Sequence, residues 1–150
     1  MSDTFIRQAN EADVSSVCQL QQQWFEEGSV HGFMPDGQEH VQAALGPYFL
    51  VAQVDDTLVG FISGSVHVSE GTAVIPEGQS YIEIDSLSVS PQFRKQGIGS
   101  QLLNRVLGLA KQQGVSHSLL YSATKDIHSV IRFYEQHKFQ SWYVQMFQKL

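Results

Sequence analysis

Residues 91–103, PQFRKQGIGSQLL, set a proline, two cations and two spaced glycines directly before an aliphatic run. Downstream, Ile98, Leu102, Leu103, Val106 and Ala110 recur at helical spacing as far as about Gln113, and Gly114 supplies a stop. Upstream, YIEIDSLSV (81–89) alternates strictly, the pattern of a strand with one buried face. A strand that passes through such a turn into a helix exposes free N–H groups and the positive end of the helix dipole. Gly97 and Gly99 leave no side chain over those amides, and Arg94 and Lys95 add charge-assisted donors. The turn therefore reads as an anion site; the alternative is a surface turn that happens to be basic. It is not a Walker loop, because no Gly-Lys-Ser/Thr follows, nor a dinucleotide fingerprint, because Leu102 stands where a third glycine belongs.

Working outward, TFIRQA reads as a first strand, and Asn10 as the cap of a helix that runs to Glu27 and ends at Gly28. Val14, Val17, Cys18 and Gln21 share a face of that helix. Asp36 is placed to cap a second helix, GQEHVQAAL. PYFLVAQV and LVGFISGSVHV are apolar runs joined at Asp55-Asp56-Thr57, a hairpin signal. After the helix at 97–113, HSLLYSA predicts a strand, DIHSVIRFYEQH a helix with Ile127, Val130, Ile131 and Tyr134 on one face, and FQSWYVQMF a final strand. The order β-α-α-β-β-β-α-β-α-β predicts an α/β (α+β) domain over residues 1–150, with a mixed sheet covered by helices.

Charge is uneven along the chain. Residues 1–93 hold one cation, Arg7, against thirteen carboxylates; residues 94–150 hold eight cations and two carboxylates, Asp126 and Glu135. Such asymmetry separates two binding functions on one surface, or is drift among solvated side chains. No Lys/Arg cluster interleaves with aromatics, which argues against a nucleic-acid partner. Cys18 is the single cysteine, so no disulfide framework is expected. The six histidines lack zinc spacing, and no metal is expected. MSDTFIRQAN has no apolar signal core, and no run approaches the ~18 apolar residues of a membrane span. These features predict a soluble cytoplasmic protein with no membrane partner.

Arg94-Lys95-Gln96-Gly97-Ile98-Gly99 resembles the Arg/Gln-x-x-Gly-x-Gly/Ala motif of the GNAT superfamily of acyl-CoA-dependent N-acetyltransferases. Leu87-Ser88-Val89-Ser90-Pro91 is similar to the strand before that motif, and Ile6-Arg7-Gln8-Ala9 with Asp13 to the family's N-terminus. Val130 to Glu135, followed by Phe139, resembles the helix and strand that close its cofactor site. The resemblance implies the GNAT fold: a mixed, mostly antiparallel sheet of six to seven strands flanked by about four helices. It implies acetyl-CoA as co-substrate, its pyrophosphate on Arg94, Lys95, Gln96, Gly97, Ile98, Gly99 and Ser100, and its pantetheine along Leu87, Ser88 and Val89. It also implies acetyl transfer to a primary amine, a cationic small molecule or peptide, by direct attack in a ternary complex. The alternatives are an acyl-CoA-binding regulatory module without turnover and a nucleotide-binding protein that uses the same turn.

That chemistry needs an acceptor for the amine's proton, a donor for the thioester oxygen and an acid near the leaving thiolate. Glu83 and Asp85 alternate onto one face of the strand with Leu87 and Val89, and each aligns with a carboxylate of some family members. Either is the base, or only holds the substrate's cation. The Val89 amide is the expected oxyanion donor. Tyr134 aligns with the family tyrosine near the coenzyme sulfur, although it also suits a core position. Cys18, on a core-like helix face, reads as packing and not as a nucleophile. Two departures from the family stand out. Ile127 replaces an asparagine that touches the pantetheine, and Lys138 replaces a glycine, which predicts a turn of different shape. Trp24, Phe25, His31 and Phe33 line the acceptor pocket or the core; Trp142 and Tyr143 line the pocket or a homodimer contact.

Overall fold

The computed structural model describes residues 3–150. Its sheet has five strands in the order β1 (Thr4–Gln8), β2 (Phe49–Val54), β3 (Thr57–Val68), β4 (Ser80–Val89) and β5 (His117–Leu119). The first three pairings are antiparallel and the last is parallel. One face is covered by α1 (Val14–Glu27) and α2 (Gln38–Ala44), which pack on Phe49, Val51 and Phe61. The other is covered by α3 (Ile98–Gln112), and α4 (Ile127–Gln136) lies beside it. Ile98, Leu102, Leu103, Val106 and Ala110 are the buried residues of α3, as their spacing requires, and they meet Ile62, Ile82 and Ile84 of the sheet. No helix among the described residues is long and apolar enough to cross a membrane.

Local chemistry explains the element ends. Asp55 and Asp56 both take left-handed backbone (φ 49° and 63°), which matches the twist of a two-residue hairpin. Asn10 accepts from the Ala12 amide at 2.9 Å while Asp13 accepts from the Asn10 amide at 2.8 Å, a reciprocal cap that opens a short 3-10 turn into α1. Asp13 is buried and also takes two hydrogen bonds from Arg7, each 2.7 Å, which fastens α1 to β1. Those bonds hold its carboxyl below the usual range against the opposing cost of burial. Gly28, at φ 65°, ends α1. The second helix does not begin on Asp36: Gly37 holds the cap position, and Asp36 instead pairs with buried Gln21 of α1 through two bonds of 2.7 and 3.2 Å.

The sheet has five strands where the sequence predicts six to seven, and the order loses its last strand. β5 pairs with β4 only along Tyr81–Glu83. The chain then leaves the sheet, because the backbone at 123–125 bonds to the loop after α1: His31 N–H to Ala123 O at 2.9 Å and Lys125 N–H to Ser29 O at 2.8 Å. HSLLYSA therefore stops as a strand at Leu119, and three residues of β5 form too short an edge to template FQSWYVQMF. Within 139–150 no strand forms; Trp142, Tyr143, Val144, Met146, Phe147 and Leu150 are exposed.

The turn after α4 closes with its lysine in the left-handed region that glycine favours. Lys138 N–H bonds to Glu135 O at 3.0 Å and Phe139 N–H to Tyr134 O at 3.1 Å, the bond pair of a Schellman cap, with Lys138 at φ 69°. A side chain in this left-handed conformation costs about 1 kcal/mol or more relative to glycine, partly offset by glycine's freedom in the unfolded chain. Lys138→Gly should therefore raise stability by about 0.5–1 kcal/mol, read as a higher urea midpoint at unchanged slope. A lower midpoint would show that the lysine makes compensating contacts.

Candidate active site

The site forms where β4 and β5 part. Ser63 of β3 pairs with Ser86, but the next pair is Gly64 with Ile84, so Asp85 is an extra residue in a bulge. The bulge corrects the simple alternation. Ile82, Ile84, Leu87 and Val89 all pack toward α3, whereas Glu83 and Asp85 lie on the opposite side, beside Ser65 of β3. The two carboxylates therefore do not share a face with Leu87 and Val89.

The bulge also sets which backbone groups are open. Ser90 N–H donates to Val59 O at 2.7 Å, and Ser88 lies opposite Phe61. Alternation in an antiparallel ladder then turns the polar groups of Leu87 and Val89 away from β3, toward the side from which β5 has departed. Ser88 is buried. The strand edge expected to meet an extended ligand is thus open at Leu87 and at the Val89 N–H, whose carbonyl Arg94 Nε takes, and turned away at Ser88.

Beside this edge lies a cleft of about 370 Å³. Leu87 and Val89 form one wall, the turn from Phe93 to Ser100 (without Gln96) the floor, and Phe133 of α4 the far side. Gly97 caps α3 at φ 84°, and nothing lies within 4 Å of where its Cβ would stand. A Cβ on Gly99 would stand 3.6 Å from Phe133 Cζ and 3.9 Å from Val89 Cγ2, inside the gap between the cleft walls. This glycine-lined N-terminus of a 15-residue helix, with open amides, suits a phosphate-bearing ligand.

The charged groups of the turn have different surroundings. Arg94 lines the cleft and also bonds to protein: its guanidinium holds Glu27 of α1 at 2.6 and 2.7 Å, and its Nε donates to Val89 O at 2.8 Å. It clamps α1 onto the turn, as Ser90 does through Gln23 at 3.1 Å. Lys95, exposed and held at φ 61°, also lines the cleft. The Ser100 hydroxyl bonds to His137 Nε2 at 3.0 Å, and His137 Nδ1 meets Asn104 Oδ1 at 3.1 Å, tying the end of α4 to α3.

Tyr134 does not itself line the cleft. It packs edge-on against Phe133 and Phe139, with centroids 5.0 and 5.4 Å away, and burial pushes its phenol up to about 12. Glu83 and Asp85 belong to a polar group on the α1 side of the sheet. The Ser65 hydroxyl lies 3.1 Å from Asp85 Oδ2 and 2.9 Å from His67 Nε2, which is 3.8 Å from Glu83 Oε2. Cys18 is partly buried, and its thiol is pushed up by burial and, secondarily, by Asp36, the environment of an unreactive thiol.

A second pocket of about 270 Å³ is lined by Trp24, Phe25 and Phe33 with Lys125. His31 is not among its walls and meets Phe147 instead, at 5.5 Å. Sequence reasoning missed Glu27, Ser65, His67, Phe93, Phe133 and His137. Phe133 sits inside a recognised motif, and Phe93 between two of them. The others act across elements, and nothing local marks them.

Comparison with known proteins agrees with this fold. A family model described as the acetyltransferase (GNAT) family matches residues 14–139. N-acetyltransferase 8B of Rattus norvegicus is 32% identical over 101 residues, 67% of this chain and 43% of that protein. The chain thus spans less than half of that curated relative's length. AAC(6')-Iy in complex with the bisubstrate analog CoA-S-monomethyl-acetylneamine superposes with a TM-score of 0.73 at 20% identity, covering 99% of each chain. An aminoglycoside acetyltransferase from an uncultured soil metagenomic sample, in complex with trehalose, gives 0.72 at 20% identity, covering 98% of this chain and 96% of that one. A ribosomal-protein-alanine N-acetyltransferase from Brucella melitensis biovar Abortus 2308 gives 0.68 at 18% identity, covering 96% and 99%. At such identities the structures establish a shared fold, and with the family model spanning the turn, the splayed strand and α4, this chain belongs to the acetyltransferase (GNAT) family.

Proposed function

We propose that the chain transfers the acetyl group of acetyl-CoA to a primary amine by direct attack within a ternary complex. The observation that carries this reading is the open edge of Leu87 and Val89 beside the glycine-lined start of α3, in one cleft. The amides of Gly97 to Ser100 and the Lys95 ammonium would hold the pyrophosphate. The edge of Leu87 and Val89 would take the pantetheine as an added strand, through main-chain bonds. Acetyl-CoA supplies an activated thioester carbonyl and a thiol leaving group. The Val89 amide faces the open side and is available to the carbonyl oxygen. Tyr134, next to the cleft's Phe133, would offer a neutral hydroxyl to the sulfur, and Glu83 and Asp85 would offer a negative site for the ammonium and its proton.

A cationic acceptor suits the two carboxylates beside the splay. Proteins of the same fold are named for aminoglycosides and for a ribosomal protein's alanine. The unpaired Cys18 suits a reducing compartment such as the cytoplasm. The test is calorimetry with coenzyme A, NAD and ATP, followed by thiol release from acetyl-CoA with spermidine, kanamycin, a lysine-rich peptide with a free N-terminus and phenethylamine. Coenzyme A should bind best of the three, and at least one amine should release thiol. Tighter binding of NAD or ATP would overturn the reading, and tight coenzyme binding without release from any amine would select the regulatory module.

A further inference from the structure

Ser100 lines the cleft at the start of α3, and its single hydroxyl proton is already used inside the protein. His137, half-buried at the end of α4, decides how. Its Nδ1 stands 3.1 Å from Asn104 Oδ1, an oxygen that can only accept, so Nδ1 carries a hydrogen. In the neutral ring Nε2 is then bare, and at 3.0 Å it takes the hydrogen of Ser100 Oγ. The Ser100 oxygen is left to show lone pairs to the cleft, where the pyrophosphate would sit. An anion there needs a donor instead. We propose that His137 is a coenzyme-binding residue that works through Ser100: the hydroxyl turns to the pyrophosphate, and His137 takes up a proton from solvent. This inference rests on the acetyl-CoA reading.

The step balances. One proton passes from solvent to Nε2, and the Ser100 hydrogen changes its acceptor from Nε2 to a phosphate oxygen. The imidazolium then donates at both nitrogens, to Ser100 Oγ and to Asn104 Oδ1, so every polar atom of the cluster keeps a partner. His137 caps the C-terminal end of α4, where the helix dipole favours a cation. The Phe133 ring stands 5.1 Å from the imidazole, within reach of a cation–π contact. Around this cluster α3 brings Arg105 beside Asn104, the turn brings Arg94 and Lys95, and α4 brings Glu135 and Lys138. The Tyr134 carbonyl takes the His137 backbone N–H at 2.9 Å. Among the described residues no carboxylate forms an ion pair with the His137 ring. The negative charge that draws the proton therefore comes from the ligand. His137 is a positioning residue, since Ser100 stands between it and the cleft.

The test is calorimetry of the full chain with coenzyme A, in two buffers of different ionisation enthalpy, which counts the protons taken up. The ribose phosphate of coenzyme A also titrates near neutral pH, so Ser100→Ala and His137→Gln supply the baseline. The bound form holds the proton and the free form does not, so affinity should rise as pH falls. From pH about 8.5 to about 6, which spans most of an imidazole's titration, wild-type affinity should rise about tenfold more than that of either variant. At the middle of that range the wild type should take up about half a proton more than either variant. Alanine suits a helix, so Ser100→Ala keeps both the fold and His137 while breaking the link. Equal uptake in all three proteins would overturn the inference, and would mean that the ring only changes tautomer while Asn104 reverses its amide. Full uptake in Ser100→Ala, with loss only in His137→Gln, would overturn the route through Ser100. Either result leaves acetyl-CoA binding standing, whereas failure of the wild type to bind coenzyme A at any pH would sink that reading and this inference together.

Discussion

Gly99→Val should weaken acetyl-CoA binding by about a hundredfold or more, a loss of about 2.7 kcal/mol, while leaving the fold in place. A single Cβ at this position already reaches ordinary contact with Phe133 and Val89. The two further methyl groups of valine would occupy the space between the cleft walls, over the amides that face the ligand. The backbone at Gly99 is helical, so valine is not strained there and can even gain on glycine's helix propensity of about 1 kcal/mol below alanine. Gly97→Val differs, because φ 84° is a left-handed conformation that a β-branched residue resists. That variant should lose both binding and melting temperature. Calorimetry alongside thermal melts separates the two: wild-type affinity in folded Gly99→Val would remove the turn as the coenzyme's seat.

Tyr134→Phe should lower kcat by about 10²-fold at neutral pH, with little change in KM for acetyl-CoA. The ring keeps its packing against Phe133 and Phe139, so only the hydroxyl is removed. With its phenol at about 12, Tyr134 stays a neutral donor throughout the working range. A thiol near ~8.5 is the stronger acid, so Tyr134 stabilises the departing sulfur by a hydrogen bond more than by complete proton transfer. The effect should therefore shrink as pH rises past the thiol's own value. The same shift has a stability consequence. A phenol raised above its unfolded value of about 10 leaves folding unaffected by its ionisation below that pH, and the contribution is lost as pH rises from about 10 through 12. Tyr134→Phe should flatten that alkaline loss. Near-native kcat at neutral pH together with a lower melting temperature would make Tyr134 a core residue only.

The elements with strong local chemistry were legible in the chain itself. The five buried residues of α3 follow from their spacing, the Asp55-Asp56 hairpin from its turn residues, and the glycine turn from the meeting of two periodicities. These depend on neighbours within a few residues, so the sequence alone determines them. The family resemblance rests on the same local motifs, at Arg94 to Gly99 and Val130 to Phe139. What the tertiary structure decided is everything that depends on a partner distant in the chain. The bulge at Asp85 is invisible in YIEIDSLSV, because it exists only against β3, and it alone separates Glu83 and Asp85 from the face of Leu87 and Val89. The ion pair of Arg94 with Glu27, 67 residues earlier, is likewise invisible in the motif. FQSWYVQMF has the composition of a strand, but pairing needs an edge, and β5 ends after three residues because the loop at 29–31 draws the next segment away. Hydrogen-bond partners far apart in sequence are chosen by packing geometry, and no local pattern encodes that choice.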